Sequence, residues 1–140
     1  MLAVLIGCGG AGDGGDEIAN LTGTWAVDLT ASCAAGFTFA PADEYEIDVV
    51  CSLTDGTIGM QAQVGVYVQT ADALYFNPRA STCAGTAPSA ASYSVSGQRL
   101  TIVDSTGILT LQRLTPSGAG AATFGCFMDG LFTERPLTQL

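Results

Sequence analysis

Residues 45–69, YEIDVVCSLTDGTIGMQAQVGVYVQ, decide the fold. Ahead of Asp55-Gly56, the residues Tyr45, Ile47, Val49, Cys51 and Leu53 share one side of an extended chain. Glu46, Asp48 and Ser52 share the other, and only Val50 breaks the alternation. Beyond it, Ile58, Met60, Ala62, Val64, Val66 and Val68 recur at every second position, interleaved with Gln61, Gln63, Tyr67 and Gln69. A period of two marks half-buried strands, because successive side chains leave a strand on opposite faces. Asp-Gly between two such runs is a strong hairpin signal. The segment therefore reads as two antiparallel strands about a tight turn, with the apolar positions of both facing the core. Gly59 and Gly65, on the outer face in this reading, mark a bend or bulge.

Working outward, Trp25, Val27 and Leu29 alternate with Thr24, Ala26 and Asp28 as an earlier strand. Ala31–Ala42 reads as a loop carrying Cys33, Phe37 and Phe39. Leu74-Tyr75-Phe76 is a short strand closed by Asn77-Pro78, and Arg79–Ser92 is a long surface loop pinned by Cys83. Tyr93 with Val95, Leu100 with Ile102, and Ile108–Leu114 come next, separated by turns at Ser96-Gly97-Gln98 and Asp104–Gly107. Pro116–Ala122 is a flexible loop, and Phe124–Phe132 supplies a final strand with Cys126. No segment holds a 3.6-residue period over about 11 residues. The expectation is all-β: a small antiparallel meander of seven to eight strands, closing into a barrel or a flattened sandwich.

The chain has 140 residues, of which 48% are hydrophobic, enough for one core. Thirteen acids face four arginines, with no lysine or histidine, for a net charge of −9. Nucleic acid and anionic lipid headgroups both need a basic footprint, so neither is a partner for this surface. No apolar run reaches the ~18 residues of a spanning helix. Nucleophilic catalysis by Ser or Cys normally needs a base that titrates near neutrality, and without His or Lys none is at hand; an enzyme is not expected. Asp104-Ser105-Thr106-Gly107 carries one residue more than an aspartic-protease turn. Glu44, Glu46 and Asp48 project from one strand face about 7 Å apart. A straight strand does not converge them on the six to eight oxygens calcium wants, so they read as solvated charge on an edge strand. Neither metal nor cofactor is expected.

Cysteines number five. Cys33, Cys51, Cys83 and Cys126 lack the C-x-x-C spacing of zinc or redox sites and have no His to complete a mixed one. They read as two disulfides in an oxidising compartment. Four cysteines allow three pairings, and the sequence does not choose. Cys51–Cys83 with Cys33–Cys126 is the expected arrangement, the second tying the first strand's loop to the last strand.

Cys8 is the odd one. Leu5-Ile6-Gly7-Cys8, after the apolar Leu2-Ala3-Val4, resembles the lipobox of bacterial lipoproteins. The resemblance implies that residues 1–7 are a signal remnant, that Cys8 is lipidated, and that residues 8–19 form a flexible Gly/Asp tether to a domain at 20–140. Gly9 after the cysteine resembles the sorting pattern for the outer membrane of Gram-negative bacteria, with the protein on its periplasmic or surface face. No Lys or Arg precedes the apolar run, as a signal's n-region requires, so the start is expected upstream of Met1. The glycine-rich stretch 9–17 reaches about 17 Å root-mean-square. A rival reading takes Val4-Leu5-Ile6 and Gly7-x-Gly9-x-x-Gly12, with Asp28, as a dinucleotide loop. That reading lacks its helix: Asp13-Gly14-Gly15 fills the first turns, and each Gly costs about 1 kcal/mol there.

Leu21-x-Gly23-x-Trp25 at the head of a β meander resembles the G-x-W motif of the lipocalin superfamily, and Leu109–Arg113 resembles its last strand. The resemblance implies an eight-stranded barrel in which Arg113 caps Trp25 at the closed end. The family's second motif is absent; Thr70-Ala71-Asp72 is a faint echo. Such a barrel implies a binding or structural module, taking a small apolar ligand or a protein partner. The alternative is a protein-binding module such as a periplasmic protease inhibitor.

Overall fold

The computed structural model describes residues 18–114, 122–128 and 131–140. Eight strands form the meander: β1 (Gly23–Asp28), β2 (Cys33–Ala40), β3 (Glu44–Ser52), β4 (Ile58–Gln69), β5 (Ala73–Ser81), β6 (Ser89–Ser96), β7 (Arg99–Asp104) and β8 (Gly107–Leu114). Each pairs antiparallel with the next, and β8 returns to β1 through Thr24↔Leu114 and Ala26↔Gln112. The sheet is thus a closed up-and-down barrel rather than a sandwich. Three short strands are added: β9 (Thr123–Met128) runs parallel to the upper part of β4, β10 (Leu131–Glu134) pairs with β9, and β11 (Thr138–Gln139) lies against the end of β5. Among the described residues the helical content is one turn of 3₁₀ helix, Pro41–Asp43.

Residues Cys33–Ala40, read as loop, form β2. Ala34, Ala35, Gly36 and Ala40 have weak strand preference, yet Phe37 and Phe39 alternate into the core at 8% and 1% exposure. Tertiary burial overrides composition here. Likewise β5 continues through Pro78 to Ser81, the proline falling beside a β-bulge at Val64/Gly65. The final strand proves to be the β9–β10 hairpin.

β4 presents the opposite face to the core from the one its hydropathy predicts. Its valine face is outside: Val68 is 63% exposed and Ile58 37%, whereas Tyr67 is buried. The cause is loop length. A two-residue turn at Asp55-Gly56 would set Cys51 opposite Met60. In the structure Ser52 pairs with Ile58 and Cys51 with Gly59, leaving the five residues Leu53–Thr57 in the loop. A slip of one residue moves every side chain to the other face. Gly59, Gln61, Gln63, Gly65 and Tyr67 therefore share the side of Tyr45 and Cys51.

The inward glutamines are not orphaned. Tyr45 Oη donates to Gln63 Oε1 at 2.6 Å, Gln69 Nε2 donates to Tyr93 Oη at 2.9 Å and to Ala19 O at 2.7 Å, and Phe127 N donates to Gln61 Oε1 at 2.9 Å. Burial pushes the Tyr45 phenol up to about 12, so it remains a donor at neutral pH. Around them the closed half of the barrel is packed with aromatic rings. Phe39 meets Tyr67 edge-on at 5.1 Å between centroids, and Tyr45 meets Phe76 at 4.9 Å. Trp25, Leu74, Leu100 and Leu111 fill the rest without exposure.

Candidate functional site

The barrel's two ends differ. Residues Ile18–Thr22 pass beneath the closed end, where the Trp25 indole N–H donates to Leu21 O at 2.9 Å. Arg113, directly opposite Trp25 in the β1–β8 register, lays its guanidinium carbon 4.1 Å from the indole centroid and donates to Thr22 O at 2.7 Å. Gly23 makes room: a Cβ there would strike the guanidinium, and its φ of +125° is left-handed backbone that favours glycine. This end is plugged by the packed Trp25 and Arg113 side chains and the Ile18–Thr22 segment.

At the other end four connections form the rim: residues 29–32, 53–57, 82–88 and the β7–β8 turn. Both described disulfides lie here, paired otherwise than expected. Cys33 and Cys51 are direct cross-strand neighbours of β2 and β3, with Cα atoms 4.1 Å apart. Cys83, beyond β5, bonds to Cys126 in β9. The first pair meets because Cys33–Ala40 is a strand and not a loop. Two disulfides also place the folded domain in an oxidising compartment. Among the described residues no helix is long and apolar enough to cross a membrane.

Cys83–Cys126 holds the β9–β10 hairpin against the rim. The inner face of that hairpin carries Phe127 and Phe132, their centroids 4.8 Å apart. Phe132 rests on Gly59 of β4 and Gly125 of β9, and a Cβ at either glycine would collide with its ring. Between this hairpin and the Cys33–Cys51 rim opens a cleft of about 940 Å³, floored by Val49, Leu53, Phe127 and Phe132. A smaller hollow of about 240 Å³ lies inside the barrel on the β6–β8 side, against Phe37, Ile47, Phe76 and Ile102. Ile47 lines the one and Val49, two residues along the same face, lines the other. No basic residue lines either. At each lip stands an aspartate: Asp55 accepts from the Thr57 hydroxyl and amide, Asp104 from the same groups of Thr106, and these bonds hold both carboxyls below the usual range.

The acidic run of β3 lies elsewhere, on the outer wall. β3 is flanked along its length by β2 and β4, so Glu44, Glu46 and Asp48 are not on an edge. Asp48 Oδ1 is buried without a hydrogen-bond partner. Burial, with Glu46 beside it on the same face, pushes the Asp48 carboxyl up to about 8.

Gly23, Trp25 and Arg113 thus come together at the plugged end, and Cys33, Cys51, Cys83 and Cys126 at the mouth. Cys8 and the proposed tether at 9–17 lie outside the described residues, as does most of the expected loop 116–122. Phe127, Phe132 and an inward Gln61 carry no signal in the alternation of the sequence. Asp129-Gly130, between the paired Met128 and Leu131, is the hairpin signal that identifies their setting.

Fold and mouth together define the chain as an up-and-down β-barrel, plugged at one end and hollow under a disulfide-tethered hairpin at the other. It matches no described protein family, and neither a curated protein nor a solved structure is detectably similar to it.

Proposed function

We propose that this chain is an exported, membrane-anchored binding module that holds a small, largely apolar molecule in its mouth. The observation that carries this reading is the cleft of about 940 Å³. It falls within the roughly 300–1,000 Å³ of small-molecule sites and combines an apolar floor with a few polar groups at the lip. The packed lower barrel makes a rigid base for it. The anchor is a lipid on Cys8, supported by the lipobox-like Leu5-Ile6-Gly7-Cys8 and by the oxidising compartment the disulfides require. The outer membrane of a Gram-negative bacterium is the proposed location. Non-catalytic binding suits a mouth with no basic group and no His or Lys in the chain.

Two measurements test the reading. Intact mass of the natively produced precursor, grown with a clickable fatty acid, is expected to show acyl chains that vanish in Cys8→Ser; an unlabelled wild type refutes the anchor. Native mass spectrometry of the folded protein, purified without detergent, is expected to show a co-purified small molecule that Phe132→Ala releases. An empty protein that also takes up no apolar probe refutes the carrier role.

A further inference from the structure

The two walls of the mouth cleft differ in origin but agree in charge. Asp55 stands on the five-residue loop between β3 and β4, and Glu134 ends β10 on the tethered hairpin; both line the cleft. Asp55 is fixed by its two bonds to Thr57, at 2.5 and 3.0 Å. The remaining polar lining is mostly hydroxyl: Thr30, Ser52, Thr54, Thr57 and Thr123. Arg113 caps Trp25 at the opposite end of the barrel and Arg99 opens β7 at that same end; neither they nor Arg79 of β5 line the cleft. Arg135 follows β10 but does not line the cleft. Below the carboxylates the floor is apolar and aromatic.

From this we propose that the mouth cleft selects cationic amphiphiles: an alkyl or aryl body on Val49, Phe127 and Phe132, with an ammonium between Asp55 and Glu134. The inference rests on the binding reading above and narrows it to one charge class. A carboxylate head would meet two like charges and no partner. A net charge of −9 also draws cations toward the protein before contact. Because both carboxylates face water, their effect is modest: a unit charge at contact distance in water is worth about a fivefold change in affinity.

The test is calorimetric titration of the full chain with decylammonium, decanol and decanoate at low and high ionic strength. Decylammonium is expected to bind about fivefold tighter than decanol, with decanoate weakest. The Asp55→Asn/Glu134→Gln variant, which keeps the shape and the Thr57 acceptor, is expected to bring the three affinities together. High salt is expected to do the same with the wild type, so the outcome does not depend on the variant folding. Equal affinities in the wild type, or decanoate bound tightest, overturn the charge preference and leave the binding reading standing. If none of the three binds, the binding reading falls and this inference falls with it.

Discussion

Replacing Arg113 tests the closed end, on which the barrel's order depends. Its guanidinium makes a cation–π contact with Trp25 at 4.1 Å and one short hydrogen bond, to Thr22 O at 2.7 Å. The second bond, to Asn20 O at 3.4 Å, is at the limit of useful length and adds little. A cation–π contact is worth about 0.5–2 kcal/mol according to its exposure, and a hydrogen bond from a charged donor about 1.5–3 kcal/mol. Arg113 is only half-buried, so both belong at the low end of their ranges. Arg113→Ala is therefore expected to cost about 2–3 kcal/mol. Arg113→Lys keeps the charge but loses the planar fork that stacks and bonds at once, for a loss of about 1 kcal/mol. Trp25 is the only tryptophan, so its fluorescence reports on the very ring involved. Urea titrations are expected to show a lower midpoint at unchanged m-value, together with a red-shifted native spectrum for the alanine variant. A loss under about 0.5 kcal/mol for alanine, or lysine as costly as alanine, refutes the assignment of a stabilising charge to this site.

The outer wall and the rim give two more expected outcomes. Asp48 has its folded-state pKa raised from 3.8 to about 8. Its proton is thus retained by the folded chain and lost by the unfolded one, so stability is expected to fall as pH rises from about 4 to 8; partial solvent access limits the change to about 1–2 kcal/mol. Asp48→Asn is expected to flatten that slope and to raise the denaturation midpoint at pH 8, and a slope that persists in the variant refutes Asp48 as its origin. The disulfides close loops of 18 and 43 residues in separation, worth about 3 and 4 kcal/mol on chain entropy. Cys83→Ser/Cys126→Ser is expected to expose the β9–β10 hairpin to proteases while the Trp25 spectrum stays native, and simultaneous loss of both signals refutes a hairpin that opens independently of the barrel.

Legibility in the sequence followed the range of each interaction. Gly23, Trp25 and Arg113 were readable because their roles attach to residue type: a ring, a guanidinium and the one residue that leaves space between them. Strand positions were readable wherever side chains of strong preference alternated, as at Tyr45–Cys51. What failed was decided by loop geometry. In β4, valines alternate with glutamines and glycines, and hydropathy puts the valines inside. The loop Leu53–Thr57 sets the register instead, and hydrogen bonds to Tyr45, Tyr93 and Phe127 make the glutamines acceptable within. The cysteine pairing failed for a related reason: Cys33 meets Cys51 only if Cys33–Ala40 is a strand, and its alanines concealed that. The cleft was illegible because it depends on where a hairpin distant in sequence comes to rest.

These failures have a common physical origin at the mouth. Toward the plugged end, β4 contributes Tyr67 to the core, and five aromatic rings lock together. Toward the rim, β4 contributes Gly59 and Gln61, which bury little apolar surface. A barrel hollow on that side lacks the packing that would fix its loops, since a void gives its lining no partner atoms. Both described cross-links are placed there, one between neighbouring strands and one across to the hairpin that walls the cleft. Covalent constraint thus takes over where packing is absent, and the space left unpacked is the space proposed to take a ligand. The glycine and glutamine that look out of place on a core-facing strand are what seat the hairpin that walls that space, Gly59 by admitting the Phe132 ring and Gln61 by holding the backbone of Phe127.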